Sequence, residues 1–333
     1  MRPLEFGWYL PTHGDTTAYG LMEAQVAGSP ELCERVVKAA EDAGFEYLLI
    51  PVGSVCWEAW ITGAFMAARS GRIKPLIAAR PGYINPVLLA KMISTFDQMS
   101  DGRICINLIA GQNESEVEAE GVRQPKEERY ALMEEEVSIL KALWTTRGPV
   151  HFEGKFHTIS GAHIRPRPLQ QPYPKFYLGG GSRQAWELSA KHSDVHLFWG
   201  DLPERIAQNI AEIRQLARAH DRADAIGFGM RLQVICRENE ADGWEGGAIG
   251  APRHRAAEAG DEDALYPLGS QSARAAAGAR LWRLADAASV DRDHQSAARR
   301  RHRGGRQSRT MRRYAAAVHR RRLPFVLPVR LSA

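Results

Sequence analysis

The 333-residue chain has few cysteines: Cys33, Cys56, Cys105 and Cys236 lie far apart and form no CxxC pair. A disulfide scaffold and a zinc knuckle are therefore excluded as organising devices, and free thiols fit a reducing compartment. No run of about 18 apolar residues occurs, and Met1 leads into Glu5 and Trp8 without an apolar leader, so a soluble cytoplasmic protein without a membrane partner is expected. No GxGxxG follows the first strand-like run, which argues against a dinucleotide-binding open sheet. Lysine is missing after residue 245. Residues 246–333 hold 18 arginines and seven acids, a net charge of +11, which leaves −6 for residues 1–245 of the +5 total. The acidic body gives no reason to expect a nucleic-acid partner, despite an overall excess of base.

What the chain does have, up to Glu245, is alternation. The strand-like runs are 4–10, 46–52, 72–80, 103–110, 175–180, 194–199 and 226–237. Helix-like stretches fall at 31–43, 58–69, 86–99, 126–144, 183–190 and 203–220. In the first of these Leu32, Val36, Val37 and Ala40 share one face at a 3.6 period, with Gly44 placed to end it. The strands are rich in Ile, Leu and Val rather than strictly alternating, the pattern of a sheet covered by helices. Strand followed by helix, repeated, predicts a parallel α/β fold.

Small and polar residues gather just past the strand ends: Thr12-His13-Gly14-Asp15, Ser54 to Cys56, Arg80, Asn107 to Asn113, Gly179 to Ser182 and Trp199-Gly200. Active sites of closed β/α barrels are assembled from such ends, so a TIM-type (β/α)8 barrel is favoured over an open sheet. The acidic Glu134-Glu135-Glu136 run reads as a solvated helix face. His192 and His196 are four apart, but a helix-to-strand change between them separates their directions, and no metal is assigned.

The last 88 residues break the pattern. Arg and Ala supply 38 of them, and Ile is absent after Ile249. The division is therefore 1–245, a barrel of seven strands, and 246–333, an atypical tail. Two readings of the tail stand: a basic, disordered segment for anionic partners, or out-of-frame translation of a GC-rich coding sequence. In the second case the closing strand is not encoded and the barrel is incomplete.

The motifs PTHGD, LIPVGSVCWEAW, RPG, SDGRICINLIAG, ERY, QQPYPKFYLGGGS, FWGD and FGMRLQVICRE, in that order, resemble the bacterial luciferase-like flavin monooxygenases. Within them the likeness is greatest to the alkanesulfonate monooxygenases, over about residues 4–245. The resemblance implies a barrel that takes reduced FMN as co-substrate from a separate NAD(P)H-dependent reductase. Oxygen then adds to the flavin to give a peroxyflavin, which attacks a small organosulfonate and releases sulfite and an aldehyde. It also implies a homo-oligomer. A deazaflavin (F420)-dependent hydride transferase of the same fold, and a catalytically inactive truncated barrel, are the rivals.

Residue by residue, Cys56 matches the family's active-site cysteine, as a weak donor lining the pocket; on residue type alone it could equally be core filler. His13 matches a histidine after the first strand. Arg231 and Gln233 alternate on the seventh strand and so share a face. A planar guanidinium fits a sulfonate, whereas Gln233 stands where relatives carry a proton-bearing histidine. Trp199 either walls the pocket or packs the core. For the cofactor, Gly180, Gly181 and Ser182 lead into a helix N-terminus suited to a phosphate, and the resemblance adds Tyr130 of the Glu128-Arg129-Tyr130 motif. Ala79, Arg80 and Asn107 match positions near the isoalloxazine ring, and the 78–79 peptide is the family's candidate for a non-proline cis bond.

Overall fold

The computed structural model describes residues 4–15, 26–111, 113–234 and 325–331. Its frame is an eight-stranded sheet. In chain order the elements are β1 (Gly7–Tyr9), α1 (Pro30–Ala43), β2 (Tyr47–Ile50), α2 (Ala59–Ala67), β3 (Lys74–Ala79), α3 (Pro86–Met99), β4 (Cys105–Leu108), α4 (Glu114–Ala119), α5 (Lys126–Thr145), β5 (Val150–Glu153), β6 (Thr158–Ala162), β7 (Phe176–Gly179), α6 (Arg183–His192), β8 (Val195–Trp199), α7 (Pro203–Arg218), β9 (Gly227–Val234) and β10 (Phe325–Leu331).

Local chemistry starts and stops the helices. Ser29 caps α1 by accepting from the Leu32 N–H at 3.1 Å, Pro30 occupies its first turn, and Gly44 ends it with φ 86°. Asn85 and Pro86 open α3 in the same way. A side-chain acceptor satisfies amides the helix cannot, and proline sets φ where no amide is needed.

The strand order is β1-β2-β3-β4-β7-β8-β9-β10, parallel from β1 to β9. The intervening β5–β6 pair forms a separate antiparallel hairpin. Because the parallel register carries each row across the sheet, side chains divide cleanly. Tyr47, Leu49, Leu76, Cys105, Tyr177, Val195 and Leu197 pack together inside the curl, with Tyr9 against them. Leu48, Ile50, Ile77, Ile106 and Phe176 face the helices in the larger core. Gly7 is required here: a Cβ would fall 2.1 Å from the Tyr47 ring, so glycine makes room for the tyrosine that fills the barrel floor.

Within the tail, β10 pairs antiparallel with β9 from Phe325↔Val234 to Leu331↔Phe228 and also lies beside β1, where the out-of-frame reading would leave no strand. The Phe-Val-Leu-Pro-Val-Arg-Leu run is a short apolar segment inside an Arg- and Ala-rich region, so composition hid it. Pro328 can donate nothing to a ladder, which weakens the strand signal further. The remaining tail expectations fall outside the described residues.

Candidate functional site at the barrel mouth

The carboxyl ends of the strands bring most of the singled-out residues to one mouth. At its β8–β9 side the register sets Trp199 beside Arg231. The Arg231 guanidinium carbon lies 4.5 Å from the Trp199 ring centroid and 5.4 Å from that of Tyr9. Among the described residues no carboxylate pairs with it, and its Nε has no hydrogen-bond partner. Burial depresses its pKa, an effect the nearby Tyr9 opposes. Cation–π contacts contribute only about 0.5–2 kcal/mol each, so a partly desolvated guanidinium to which the described residues offer only rings remains receptive to an anion.

His13 is next to it, with its ring edge-on to Tyr9 at 6.2 Å and Nδ1 3.4 Å from the Tyr9 hydroxyl. Partial desolvation first, and then the Arg231 charge, lower its pKa, which favours the uncharged imidazole at neutral pH. Gln233 occupies the β9 position two beyond Arg231, opposite Val326. Its side chain lies outside the described residues.

On the opposite side, charges are paired. Arg80, directly after β3, has a side chain only 4% exposed and donates to Glu116 at 2.9 Å and Glu120 at 2.6 Å. It also reaches the Tyr83 hydroxyl at 3.2 Å, although its Nε remains without a partner. Burial works against this charge, but the bonds to Tyr83 and Glu116 outweigh it and raise the pKa. Cys56 lies within this field. Burial pushes its thiol up; the Thr12 hydroxyl and Arg80 favour the thiolate, while Glu116 and Glu120 oppose it. Cys33 and Cys105, by contrast, are core residues pushed up to about 11 and about 12 by burial.

Between the two sides, Asn107 on β4 is 7% exposed, and its Oδ1 has no partner among the described residues. Arg129, 1% exposed, holds the loop after β4. Its Nε donates to the Ala110 carbonyl at 2.7 Å, and its other nitrogens reach Glu114, the Gln124 carbonyl and the Gly111 carbonyl.

The next residue, Tyr130, meets the start of α6. Ser182 caps that helix by accepting from the Ala185 N–H at 3.2 Å, and its hydroxyl donates to the Tyr130 oxygen at 3.3 Å. Gly180 has φ 146°, and a Cβ there would sit 2.8 Å from Ala185. Trp186 donates to the Gly180 carbonyl at 3.2 Å. The turn is therefore rigid and bare. A cleft opens beside it, lined by Gly180, Gly181, Trp186, Trp199 and Asp201.

Some expectations change. Ala79 is 6% exposed and packs in the helix-side core with Ile77, so its side chain is turned away from the mouth. The 78–79 peptide is trans; the cis bonds among the described residues are Arg165-Pro166 and Gln171-Pro172. The 134–136 acids are not a solvated face. Glu136 is 4% exposed, accepts from the Gly82 N–H at 2.9 Å, and is pushed up to about 7 by burial. Glu135 accepts from the amides of Lys155, Phe156 and His157. The β5–β6 hairpin, with no signal in the helix periodicity, folds over α5 and covers these carboxylates. His196 is buried, 3.0 Å from Ser189 through Nδ1, and lowered to about 3 by burial.

The sequence reading missed α4 and its acids. Their only sequence signal is acidic spacing, Glu114, Glu116, Glu118 and Glu120, which looks like solvated surface until the basic partners are seen across the mouth.

The comparisons with known proteins agree with this architecture. EDTA monooxygenase of Chelativorans sp. BNC1 superposes with a TM-score of 0.64 at 17% identity, covering 72% of this chain and 67% of that one. DmoA of Hyphomicrobium sulfonivorans gives 0.65 at 20% identity, covering 82% and 72%. The coenzyme F420-dependent tetrahydromethanopterin reductase of Methanopyrus kandleri gives 0.57 at 20% identity, covering 68% and 65%. The chain thus spans roughly two-thirds to three-quarters of these structures, and identities this low speak to the fold. The luciferase-like monooxygenase family profile matches residues 4–321, beyond the point near 245 where the sequence motifs stop. The chain belongs to the luciferase-like monooxygenase family.

Proposed function

We propose that this chain is an FMN-dependent monooxygenase that takes reduced FMN and O2 and acts on an alkanesulfonate or a related small organosulfur compound, releasing sulfite and an aldehyde. One observation carries the reading. Buried polar atoms at the mouth, Asn107 Oδ1, Arg80 Nε and Arg231 Nε, have no partner among the described residues. Such atoms cost free energy unless something polar meets them, and they line the rim where a flat, heteroatom-rich ring would lie.

The residues fit FMN. Amides at the start of α6, with Ser182 and Tyr130, would hold its phosphate, and Asn107, Cys56 and the backbone near Arg80 would face the ring. Bound there, the reduced flavin would supply the electrons that activate oxygen. Arg231 would hold the sulfonate, with its planar donors matched to the anion's oxygens. His13, held neutral, would hydrogen-bond to substrate or flavin. Trp199 would wall the pocket and restrict water. The reduced flavin would come from a separate NAD(P)H-dependent reductase, and assembly into a homo-oligomer belongs to the same proposal.

The test is a sulfite-release assay with a flavin reductase, NADH and a series of alkanesulfonates, alongside titration of the protein with FMN in both redox forms. Sulfite release and tighter binding of the reduced form are expected. Absence of any FMN affinity in a folded preparation overturns the proposal. A second reading is kept because two structural neighbours are F420-dependent enzymes. Binding of reduced F420 in preference to reduced FMN would favour hydride transfer. Affinity for neither would favour the inactive barrel.

A further inference from the structure

Glu116 has no counterpart among the residues singled out by sequence, yet it connects three successive loops of the mouth. Its side chain is 7% exposed. A single oxygen, Oε1, accepts from the Ser54 N–H at 2.7 Å and from Arg80 Nη2 at 2.9 Å. Ser54 belongs to the turn after β2, in which the Cys56 N–H returns to the Gly53 carbonyl at 2.9 Å. Arg80 follows β3, and Glu116 itself sits on α4 after β4. Glu120 binds the other Arg80 nitrogen and the Tyr83 hydroxyl. One guanidinium between two carboxylates leaves an acid excess of one charge, and the Ser54 bond to Glu116 holds the Cys56 turn against that cluster.

We propose that Glu116 is a positioning residue, whose carboxylate locks the Ser54–Cys56 turn to Arg80 and, together with Glu120, keeps Cys56 at the mouth as an uncharged hydrogen-bond donor rather than a nucleophile. Physically, the arrangement separates two roles that cysteine can confuse. A thiolate next to an oxygen-activating flavin would be open to oxidation, whereas a thiol is far less reactive. Burial makes loss of the thiol proton unfavourable and the Glu116 and Glu120 carboxylates add to it, while Thr12 and Arg80 act the other way; the Ser54 tether keeps the turn from opening to water.

The inference rests on the flavin-binding mouth proposed above, but its test reads Cys56 without flavin or turnover. The full chain is alkylated with iodoacetamide across a pH series, and the Cys56 peptide is quantified by mass spectrometry, which separates it from Cys236. Glu116→Gln and Glu120→Gln should each lower the midpoint pH. A shift of one unit raises the rate at a pH below the midpoint about tenfold. Glu118→Gln, at an exposed neighbour without a contact to the cluster, should leave the profile unchanged. Glu116→Ala should also raise the high-pH plateau, because the Ser54 amide loses its acceptor and the turn opens; Gln, which retains an acceptor, should not.

A Glu116→Gln midpoint equal to that of the parent overturns the proposal, as does an equal shift in Glu118→Gln. If Glu116→Ala fails to fold, the two Gln variants still decide the matter. Shifted midpoints in a protein that binds no flavin would remove the monooxygenase reading and leave the clasp standing; flavin binding with unshifted midpoints would do the reverse.

Discussion

The two arginines of the mouth are opposites. Arg80 is buried between two carboxylates and a tyrosine hydroxyl, while Arg231 is only partly buried, between two aromatic rings with no carboxylate on it among the described residues. Desolvating a charge is costly in either place, but the cost is met differently. On the β3 side the protein supplies the counter-charge itself, so Arg80 is structural and its charge is already spent. On the β9 side no described residue supplies one. A charge the fold does not satisfy is the one available for chemistry.

The sharpest way to break that contrast is Arg231→Ala. In an active preparation it should reduce turnover on the sulfonate about 100–1,000-fold, the range for loss of one preorganised donor to an anion. Its melting temperature should stay level or rise, because a partly desolvated charge with no carboxylate partner among the described residues is removed. Equal activity of the variant and the parent would show that the anion site lies elsewhere.

Arg80→Met should do the reverse. Leaving the buried Glu116 carboxylate without its cation should cost about 3 kcal/mol in urea unfolding, the low end of the range for breaking a buried pair, since Glu120 is partly exposed. An unchanged urea midpoint would mean that the clasp contributes little.

A third, smaller effect lies on the same side of the mouth. Glu136 anchors Gly82, two residues past Arg80, and its carboxyl is pushed up to about 7 from 4.5. The folded-state pKa is raised, so the associated stability is fully present below about pH 4.5 and is lost as pH rises through about 7. Glu136→Gln, which mimics the neutral form, should remove that slope and be the more stable protein at pH 8, by about 1–3 kcal/mol. Parallel stability curves for the two proteins from pH 4.5 to 8 would contradict the assignment.

The smallest effect is expected for Cys56→Ala. Loss of a weak donor should lower turnover less than about tenfold, well short of Arg231→Ala. Steady-state rates measured side by side give the comparison directly.

The legible parts of this protein are those written in neighbouring residues. The starts of α1 and α3, the Gly44 stop and the Ile/Leu/Val strand runs all fall where the sequence predicts, within a few residues. The strand ends that carry Trp199, Cys56, Asn107 and Ser182 can be read because the strands can. Ala79 shares the helix-side face with Ile77, because alternate residues of a strand point the same way. The hairpin β5–β6, helix α4 and strand β10 went unseen for different reasons: weak alternation, an acid run that mimics solvated surface, and a short apolar segment inside an arginine-rich stretch.

By itself, then, the sequence determined the barrel class, the placing of its rim and the residue types that stand there, because helix caps and strand periodicity act over a few residues. Which arginine is met by carboxylates and which by aromatic rings was decided only in three dimensions. Glu116 and Glu120 reach Arg80 across 36 and 40 positions of chain, and Tyr9 reaches Arg231 from the opposite end of the sheet. Charge compensation depends on distance through space, and no local pattern encodes it.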